Sequence, residues 1–174
     1  FGKTSCANLK VSIYLNLSEY GSILISKHLV VFVLFFTSGL FFYSTCRFLF
    51  KDKKFLLISL LLFYLYPYLY GHSHFNPKDI PFLSFWIIST YLLFKIINKL
   101  YKNKKISIKI IFLLSISTSI LISIRIVGLL IFLQYLIFAV VYLENKNENF
   151  LKFLKENKNN LFLFIFFSII FMYL

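Results

Sequence analysis

The residues best suited to chemistry lie in one short polar loop between two long apolar runs. Within residues 72–79 this loop holds two imidazoles, an amide, an ammonium and a carboxylate, from His72, His74, Asn76, Lys78 and Asp79. An ammonium beside the start of a helix favours phosphate binding, because the peptide dipoles add positive potential there. A connector that only reverses the chain does not need these groups, so we place the candidate function in this loop.

Several of these groups also have a purely structural interpretation. Asn76-Pro77 is typical of a turn, and Asp79 stands where a helix N-cap is expected, just before an apolar run. Lys78 could be an interfacial lysine whose alkyl stem lies along apolar surface. Helix capping and snorkelling therefore stand beside phosphate binding as explanations of the loop.

The two histidines do not form an evident metal site. His72 and His74 are two residues apart, so in an extended segment they point to opposite sides. Either ring could bind a divalent metal or carry a proton, and no third ligand is near in the sequence. A divalent metal therefore stays open, and polar histidines at a membrane interface are the simpler interpretation.

Arg125 is the next candidate and interrupts a long apolar stretch. A charged residue at the centre of a membrane helix costs roughly 2.5–3.5 kcal/mol on insertion scales, so we expect a turn near the interface, which Gly128 would favour. A guanidinium there could bind a phosphate with two parallel hydrogen bonds, or could simply snorkel. The alternative is one long tilted helix with Arg125 buried, which would invert the topology downstream.

Composition predicts an all-α protein built as a polytopic transmembrane helical bundle. Hydrophobic residues make up 60% of the 174 residues, including 24 Phe and 12 Tyr, more than a soluble domain of this size could bury. The net charge is +13, but Lys and Arg lie mostly in short connectors, which favours a bilayer and not nucleic acid as the partner. Cys6 and Cys46 are too far apart to suggest a disulfide framework or a metal site.

Apolar runs predict five complete spans and the start of a sixth, since a spanning helix needs about 20 residues. Residues 1–28 are mixed in polarity and read as the end of an external loop or an interfacial segment, with a transmembrane region over 29–174. Pro67 should loosen the last turn of the second span. The predicted spans are 29–46, 55–70, 80–98, 106–124, 126–143 and 161–174.

The distribution of basic residues predicts the orientation of these spans. Connectors 47–54, 95–109 and 144–160 are rich in lysine, and they alternate with the 71–79 loop and the Arg125 turn. The positive-inside rule places the three basic connectors in the cytoplasm. The 71–79 loop and Arg125 then share the opposite face with residues 1–28.

The residues resemble a known family over roughly positions 20–140. The pattern looks like bacterial family 39 glycosyltransferases, relatives of dolichyl-phosphate-mannose protein mannosyltransferases and of lipid A aminoarabinose transferases. The resemblance is most specific in the Asn-Pro-Lys-Asp part of the loop. It is carried by Lys27-His28-Leu29, by Arg47, by the loop from Gly71 to Phe82, and by an Arg-x-x-Gly segment within Ser123–Leu129.

This resemblance implies a GT-C fold whose active site opens on the periplasmic or lumenal face, in a bacterial inner membrane. It implies a polyprenyl-phosphate sugar as donor and inverting transfer to a hydroxyl or phosphate. We expect Lys78 and Arg125 to contact the donor phosphate. Four neighbouring residues, Asn76, Asp79, His72 and His74, would shape the site.

The family's catalytic carboxylate lies in a large external loop near the N-terminus. We expect that loop to lie mostly upstream of Phe1, so the chain reads as a fragment of a longer enzyme. The first alternative is a non-enzymatic transporter or flippase-like protein for lipid-linked sugars, in which the loop binds a headgroup without chemistry. The second is a scaffolding subunit, in which the polar loop residues would tolerate alanine.

Overall fold

The chain folds as a bundle of helices in the computed structural model. The structure describes residues 3–102, 105–146 and 150–173. Side chains are described from residue 21 onward in the first helix and from residue 153 onward in the last. No strand occurs among these residues, which confirms the predicted all-α class. A 3₁₀ turn, Ile126–Leu129, precedes α6. The helices are α1 (Lys3–Leu49), α2 (Lys53–Leu65), α3 (Pro67–Ser73), α4 (Asp79–Tyr101), α5 (Ile108–Ile124), α6 (Leu130–Lys146) and α7 (Phe150–Tyr173).

The number of candidate membrane spans is lower than the sequence predicts. Within the described ranges three segments are long and apolar enough to cross a bilayer, Gly21–Leu49, Asp79–Tyr101 and Ile126–Lys146. The bent pair α2 and α3 makes a fourth if it counts as one span. The prediction of five or six spans fails on length, because α5 has 17 residues and α7 carries a charged first half before its apolar part starts at Leu161.

Pro67 breaks the second predicted span. Helix α2 ends at Leu65, Tyr66 is extended with ψ of 114°, and α3 starts at Pro67 with a bend of 54°. A proline disfavours helical geometry in the residue before it and is well tolerated at the first helical position, which explains both the stop and the restart. The sequence predicted a loosened last turn at Pro67, and the structure shows a larger effect, a break between two helices.

A buried cluster beneath the polar loop joins α1, α2 and α4. It is formed by Val31, Phe35, Phe63 and Ile80, of which Phe35 is fully buried. Ile80 follows Asp79 directly, so this cluster fixes the first turn of α4. The apolar contacts therefore determine where the polar residues of the loop are held.

The two ends of the bundle agree with the predicted alternation of connectors. At one end Arg125 contacts Asp79, so the loop and the Arg125 turn lie together. At the other end Lys146 Nζ donates to the Leu100 carbonyl over 3.3 Å. The ends of α4 and α6 are thus neighbours, and which end faces the cytoplasm stays a prediction.

Serine side chains join α5 to α7 along a closely packed seam. Ser115 Oγ lies 3.2 Å from the Phe164 carbonyl oxygen, and Ser119 Oγ lies 2.9 Å from that of Ser168. Each hydroxyl proton is shared with a carbonyl of α5 itself, Ile111 at 2.9 Å and Ser115 at 2.8 Å. The equal sequence offset of the two pairs between α5 and α7 shows that the helices run parallel. Small residues at this spacing let helix backbones approach closely, as in many membrane bundles.

Candidate functional site

Asn76 caps helix α4 through its side-chain carbonyl. Asn76 Oδ1 accepts hydrogen bonds from the backbone N–H of Lys78 (3.1 Å) and of Asp79 (2.9 Å). The N-cap position belongs to Lys78, and Asp79 is the first residue inside the helix, so the prediction that Asp79 is the N-cap is wrong. The turn at Pro77 folds the Asn76 amide back over the helix start, which leaves the carboxylate free for another partner.

The amide nitrogen of the same side chain joins a histidine to the carboxylate. Asn76 Nδ2 donates to Asp79 Oδ2 over 2.7 Å and lies 3.1 Å from His72 Nδ1. The two backbone donors on Oδ1 fix the orientation of the amide, so Nδ2 is the donor toward both partners. His72 Nδ1 must then be the acceptor, and in neutral His72 the ring proton sits on Nε2.

Arg125 forms an ion pair with Asp79 across the gap between the α5 end and the loop. The guanidinium Nη2 contacts Asp79 Oδ1, and the two side chains are 45% and 40% exposed. An ion pair that is this accessible contributes about 0.2–1 kcal/mol, so it sets position more than stability. Both carboxylate oxygens of Asp79 are therefore engaged, one by Arg125 and the other by Asn76.

A tight turn, not a continuous helix, presents Arg125. Helix α5 ends at Ile124, Arg125 is extended with φ of −151°, and the Gly128 N–H donates to the Arg125 carbonyl over 2.8 Å. A Cβ at Gly128 would lie 2.8 Å from the Leu121 carbonyl oxygen, so only glycine fits against the end of α5. The predicted turn is confirmed, and the single long helix is excluded.

Lys78 is the open cation of the site. Its side chain is exposed, and no described acidic group lies within ion-pair distance of it. Lys78, Arg125 and Asp79 together carry two positive charges and one negative charge, so the site has a net charge of +1. A phosphate could be bound by the Lys78 ammonium and by the guanidinium N–H groups that do not face Asp79.

The N-terminus of α4 adds less to anion binding than its position suggests. The Asp79 N–H is already bonded to Asn76, and Pro81 has no N–H. Ile80 lies between them and is 1% exposed. The two cationic side chains, not the amides at the helix start, are therefore the groups available to an anion.

The two histidine rings contact different aromatic residues, but His72 lies in α3 and His74 is its C-cap, so they are not in the extended segment on which the prediction was based. The His74 ring stacks on Phe32 of α1 with centroids 5.1 Å apart and meets Tyr70 edge-on at 5.0 Å. The His72 ring lies 4.2 Å from that of Tyr68. The described residues bring no three His, Cys, Asp or Glu side chains together, so the metal role stays a prediction without a ligand set.

Sequence reasoning missed a group of polar side chains deep in the bundle. Gln134 Nε2 donates to Thr90 Oγ1 over 3.0 Å, and Ser89 Oγ donates to Ser117 Oγ over 2.9 Å. Ser89 lies ten residues into α4 from Asp79, about 15 Å deeper in the bundle. The serine and threonine residues of α5 could have indicated these buried polar contacts, but they lie among apolar residues in a segment that reads as an ordinary membrane span.

No protein-family model, curated protein or solved structure matches this chain. The coarse class of protein is therefore defined by the fold and site alone. It is a helical membrane protein with a net cationic polar site at one end of its bundle.

Proposed function

We propose that this chain is part of a membrane glycosyltransferase of GT-C type, which transfers a sugar from a polyprenyl-phosphate carrier on the external face of a bacterial plasma membrane. The observation that carries the proposal is the cationic site formed by Lys78 and Arg125. The Asn-Pro-Lys-Asp loop that resembles family 39 enzymes holds Lys78 in the open and anchors Arg125 through Asp79.

The charge and depth of this site suit a lipid-linked phosphate. A phosphodiester carries one negative charge, and the net charge of +1 at Lys78, Arg125 and Asp79 would neutralise it. The site lies at the ends of apolar helices, where a polyprenyl chain could lie against exposed apolar side chains while its phosphate stays at the interface. A soluble sugar nucleotide would have no need of that depth.

The proposal requires α5 to cross the membrane. Helix α4 leads away from the site and α5 returns to it, because the first residue of α4 contacts the residue that follows α5. The proposed topology therefore counts α5 as a span in addition to those that its length and composition support. It places the basic connectors on the cytoplasmic side, together with the ends of α4 and α6.

One observation favours the non-enzymatic alternative. Asp79 is the only acidic side chain described at this end, and Arg125 and Asn76 occupy both of its oxygens. A transferase needs a carboxylate that can act as a base, so it would require one beyond those assigned to the site. A transporter for lipid-linked sugars would bind the same phosphate and need no base.

The decisive experiment follows the donor and needs no knowledge of the acceptor. Membranes containing the protein are incubated with a panel of polyprenyl-phosphate sugars radiolabelled in the phosphate, and the release of free labelled polyprenyl phosphate is measured. We expect Lys78→Ala to lower turnover about tenfold or more without lowering the folded yield, because a charged hydrogen bond contributes about 1.5–3 kcal/mol. Lys54→Ala is the matched control, since Lys54 is also exposed but belongs to a connector at the other end.

Each outcome separates the candidates. Release that depends on Lys78 supports the transferase. Movement of the intact labelled lipid across the membrane without release supports the transporter. Equal losses of turnover and folded yield in Lys78→Ala would contradict the phosphate role of Lys78.

A further inference from the structure

An apolar cavity of about 180 Å³ lies between α4, α5, α6 and α7, toward the end of the bundle away from the polar loop. Helices α6 and α7 meet through aromatic rings there, Tyr135 with Phe164 and Tyr142 with Phe153, at centroid distances of 6.1 and 5.7 Å. The small side chain of Ala139 lies between the two tyrosines along α6 and lines the space. Most of the residues that line this space are apolar, so the suitable occupant is itself mainly apolar.

Basic residues lie at the end of the bundle that holds this cavity. Lys146 Nζ lies 5.5 Å from the ring centroid of Tyr142 and donates to the Leu100 carbonyl, and both of these residues line the cavity. Lys99 precedes Leu100 on α4, and Lys102 is the C-cap residue of that helix. The whole connector 95–109 holds six lysines and no acidic residue. The cavity therefore lies near the lysine-rich connector, and one ammonium contacts two of the residues that line it.

Two side-chain amides add polar groups to the same cavity. Asn157 and Asn160 both line it, and Asn160 Nδ2 lies 3.4 Å from Asn157 Oδ1. They lie on α7 between Phe153 and Phe164, so they are polar groups within an otherwise apolar wall. Asn157 Nδ2 also donates to the Phe153 carbonyl over 3.2 Å, so the second N–H of each amide is the one that can donate to an ester carbonyl.

We propose that this cavity binds one acyl chain of an anionic glycerophospholipid. Part of the acyl chain fills the space beside Ala139, the ester region meets Asn157 and Asn160, and the phosphate lies against Lys146, Lys99 and Lys102. Basic pockets between membrane helices recognise anionic headgroups in this way, and each nearby cation strengthens the attraction. The bound chain would brace α6 against α7, which otherwise touch mainly through aromatic rings.

This site is independent of the proposed sugar transfer. The donor phosphate is placed at Lys78 and Arg125, at the opposite end of the bundle, so loss of either site leaves the other intact. The occupant is a bilayer lipid and not the polyprenyl carrier. A test can therefore be read without any transfer activity.

The test measures which lipid stays with the purified protein. Nanodiscs containing equal amounts of dioleoylphosphatidylglycerol and dioleoylphosphatidylcholine are prepared with the full chain, and lipids retained after gentle detergent release are counted by native mass spectrometry. We expect phosphatidylglycerol to be retained preferentially. Lys146→Gln and the double variant K99Q/K102Q should each weaken that preference roughly fivefold per lost cation, as each nearby lysine contributes about that much. K53Q/K54Q removes two lysines of another basic connector and should change nothing.

A cavity-filling variant tests the acyl chain separately. Ala139→Trp should abolish retention with the lysines intact, and Leu133→Trp is its control, because Leu133 is 56% exposed on the same helix. If Ala139→Trp lowers the folded yield, Ala139→Leu replaces it. Preference lost in the lysine variants but retained with the cavity filled would show surface attraction only and would overturn the proposal. Loss of both lipids alike, or no preference in the unmodified chain, would overturn it as well.

Discussion

At the scale of single residues, Asn76 organises the loop. Its carbonyl oxygen holds the two backbone N–H groups at the start of α4, and its amide nitrogen holds His72 and Asp79. Asp79 then holds Arg125. The position of the guanidinium thus depends on a neutral side chain that no charge argument would single out.

Asn76→Asp tests this role because it keeps the oxygen that accepts from the backbone and replaces the N–H donor with a second acceptor. One carboxylate oxygen could still accept from the Lys78 and Asp79 backbone, but the second would face the Asp79 carboxylate and the His72 acceptor. We expect a fall of about 1–3 kcal/mol in the free energy of unfolding, measured in detergent, together with weaker donor binding. Asn145→Asp is the control, since Asn145 is exposed on α6, and equal behaviour of the two variants would show that the amide donor is dispensable.

The sequence predicted the residues of the site better than their partners. Loop composition identified the polar groups, and charge alternation placed Arg125 at the same end. The pairing of Arg125 with Asp79 was not predictable, because it depends on how far α5 returns and on the rotamers of two side chains. The helix starts at Asp79, one residue earlier than predicted, and Asn76, on the other side of Pro77, accepts hydrogen bonds from the backbone N–H groups of Lys78 and Asp79.

At the scale of elements, Gly39 permits the contact between α1 and α2. Tyr64 lies directly over Gly39, and its hydroxyl donates to the Phe36 carbonyl over 2.7 Å. A Cβ at Gly39 would overlap the Tyr64 ring, so the tyrosine would have to leave and lose its hydrogen bond. The absence of a side chain at this position is what lets the two helices interlock.

Gly39→Ala should therefore destabilise the protein by about 1–3 kcal/mol, as overpacking typically does. Gly21→Ala in the same helix is the control, since nothing lies within 4 Å of the added Cβ, and it should be neutral or stabilising. The midpoint of thermal unfolding in detergent distinguishes the two variants. Equal midpoints would show that Tyr64 moves aside at no cost.

The serine seam between α5 and α7 gives the second prediction at this scale. Ser119 is 1% exposed and contacts the Ser168 carbonyl, while Ser123, one turn later, is exposed and donates only to Ser119 within its own helix. Ser119→Leu should separate the helices and cost about 1–3 kcal/mol, whereas Ser119→Ala should cost about 0.6 kcal/mol by losing a hydrogen bond only. Ser123→Leu is the control, and a similar loss of stability in both leucine variants would contradict the seam.

Helix positions were more predictable than span counts. Apolar runs located α4 and α6 to within a few residues, because an uninterrupted apolar stretch leaves the backbone little choice but a helix. The break at Pro67 was visible in the sequence, but its size was not, since the bend depends on what packs around it. The long continuation of α1 toward Lys3 was not predicted, because its polar residues resemble those of a loop.

At the scale of the whole molecule, charge is divided between the two ends. One end carries the small mixed site of Lys78, Asp79 and Arg125, and the other carries lysine-rich connectors. An anion would therefore be bound by Lys78 and Arg125 at the first end, and by many separate lysines at the second. This asymmetry also predicts the orientation, because lysine-rich connectors tend to be retained in the cytoplasm.

The orientation and the role of α5 can be tested together by cysteine labelling. In a background with Cys6 and Cys46 replaced by serine, single cysteines at Lys78, Lys105 and Ile126 are exposed to a membrane-impermeant maleimide in sealed right-side-out vesicles. We expect labelling at Lys78 and Ile126 but not at Lys105, with the reverse pattern in inverted vesicles. Lys105 and Ile126 flank α5, so opposite sides would show that α5 crosses the bilayer.

The length of α5 makes this outcome physically reasonable. Its 17 residues span about 25 Å, against a hydrocarbon core of about 30 Å. A helix that is about 5 Å too short costs only fractions of a kcal/mol per ångström when the bilayer thins locally or flanking lysines snorkel. Lys105 and Lys109 lie at the N-terminal end of α5, where they can do so. The contact between Arg125 and Asp79 fixes the C-terminal end of α5 at one interface. The bilayer must therefore become thinner at the N-terminal end of α5, which is rich in lysine. Labelling of Lys105 and Ile126 from the same side would place both ends of α5 at one surface and remove the topology on which the external cationic site depends.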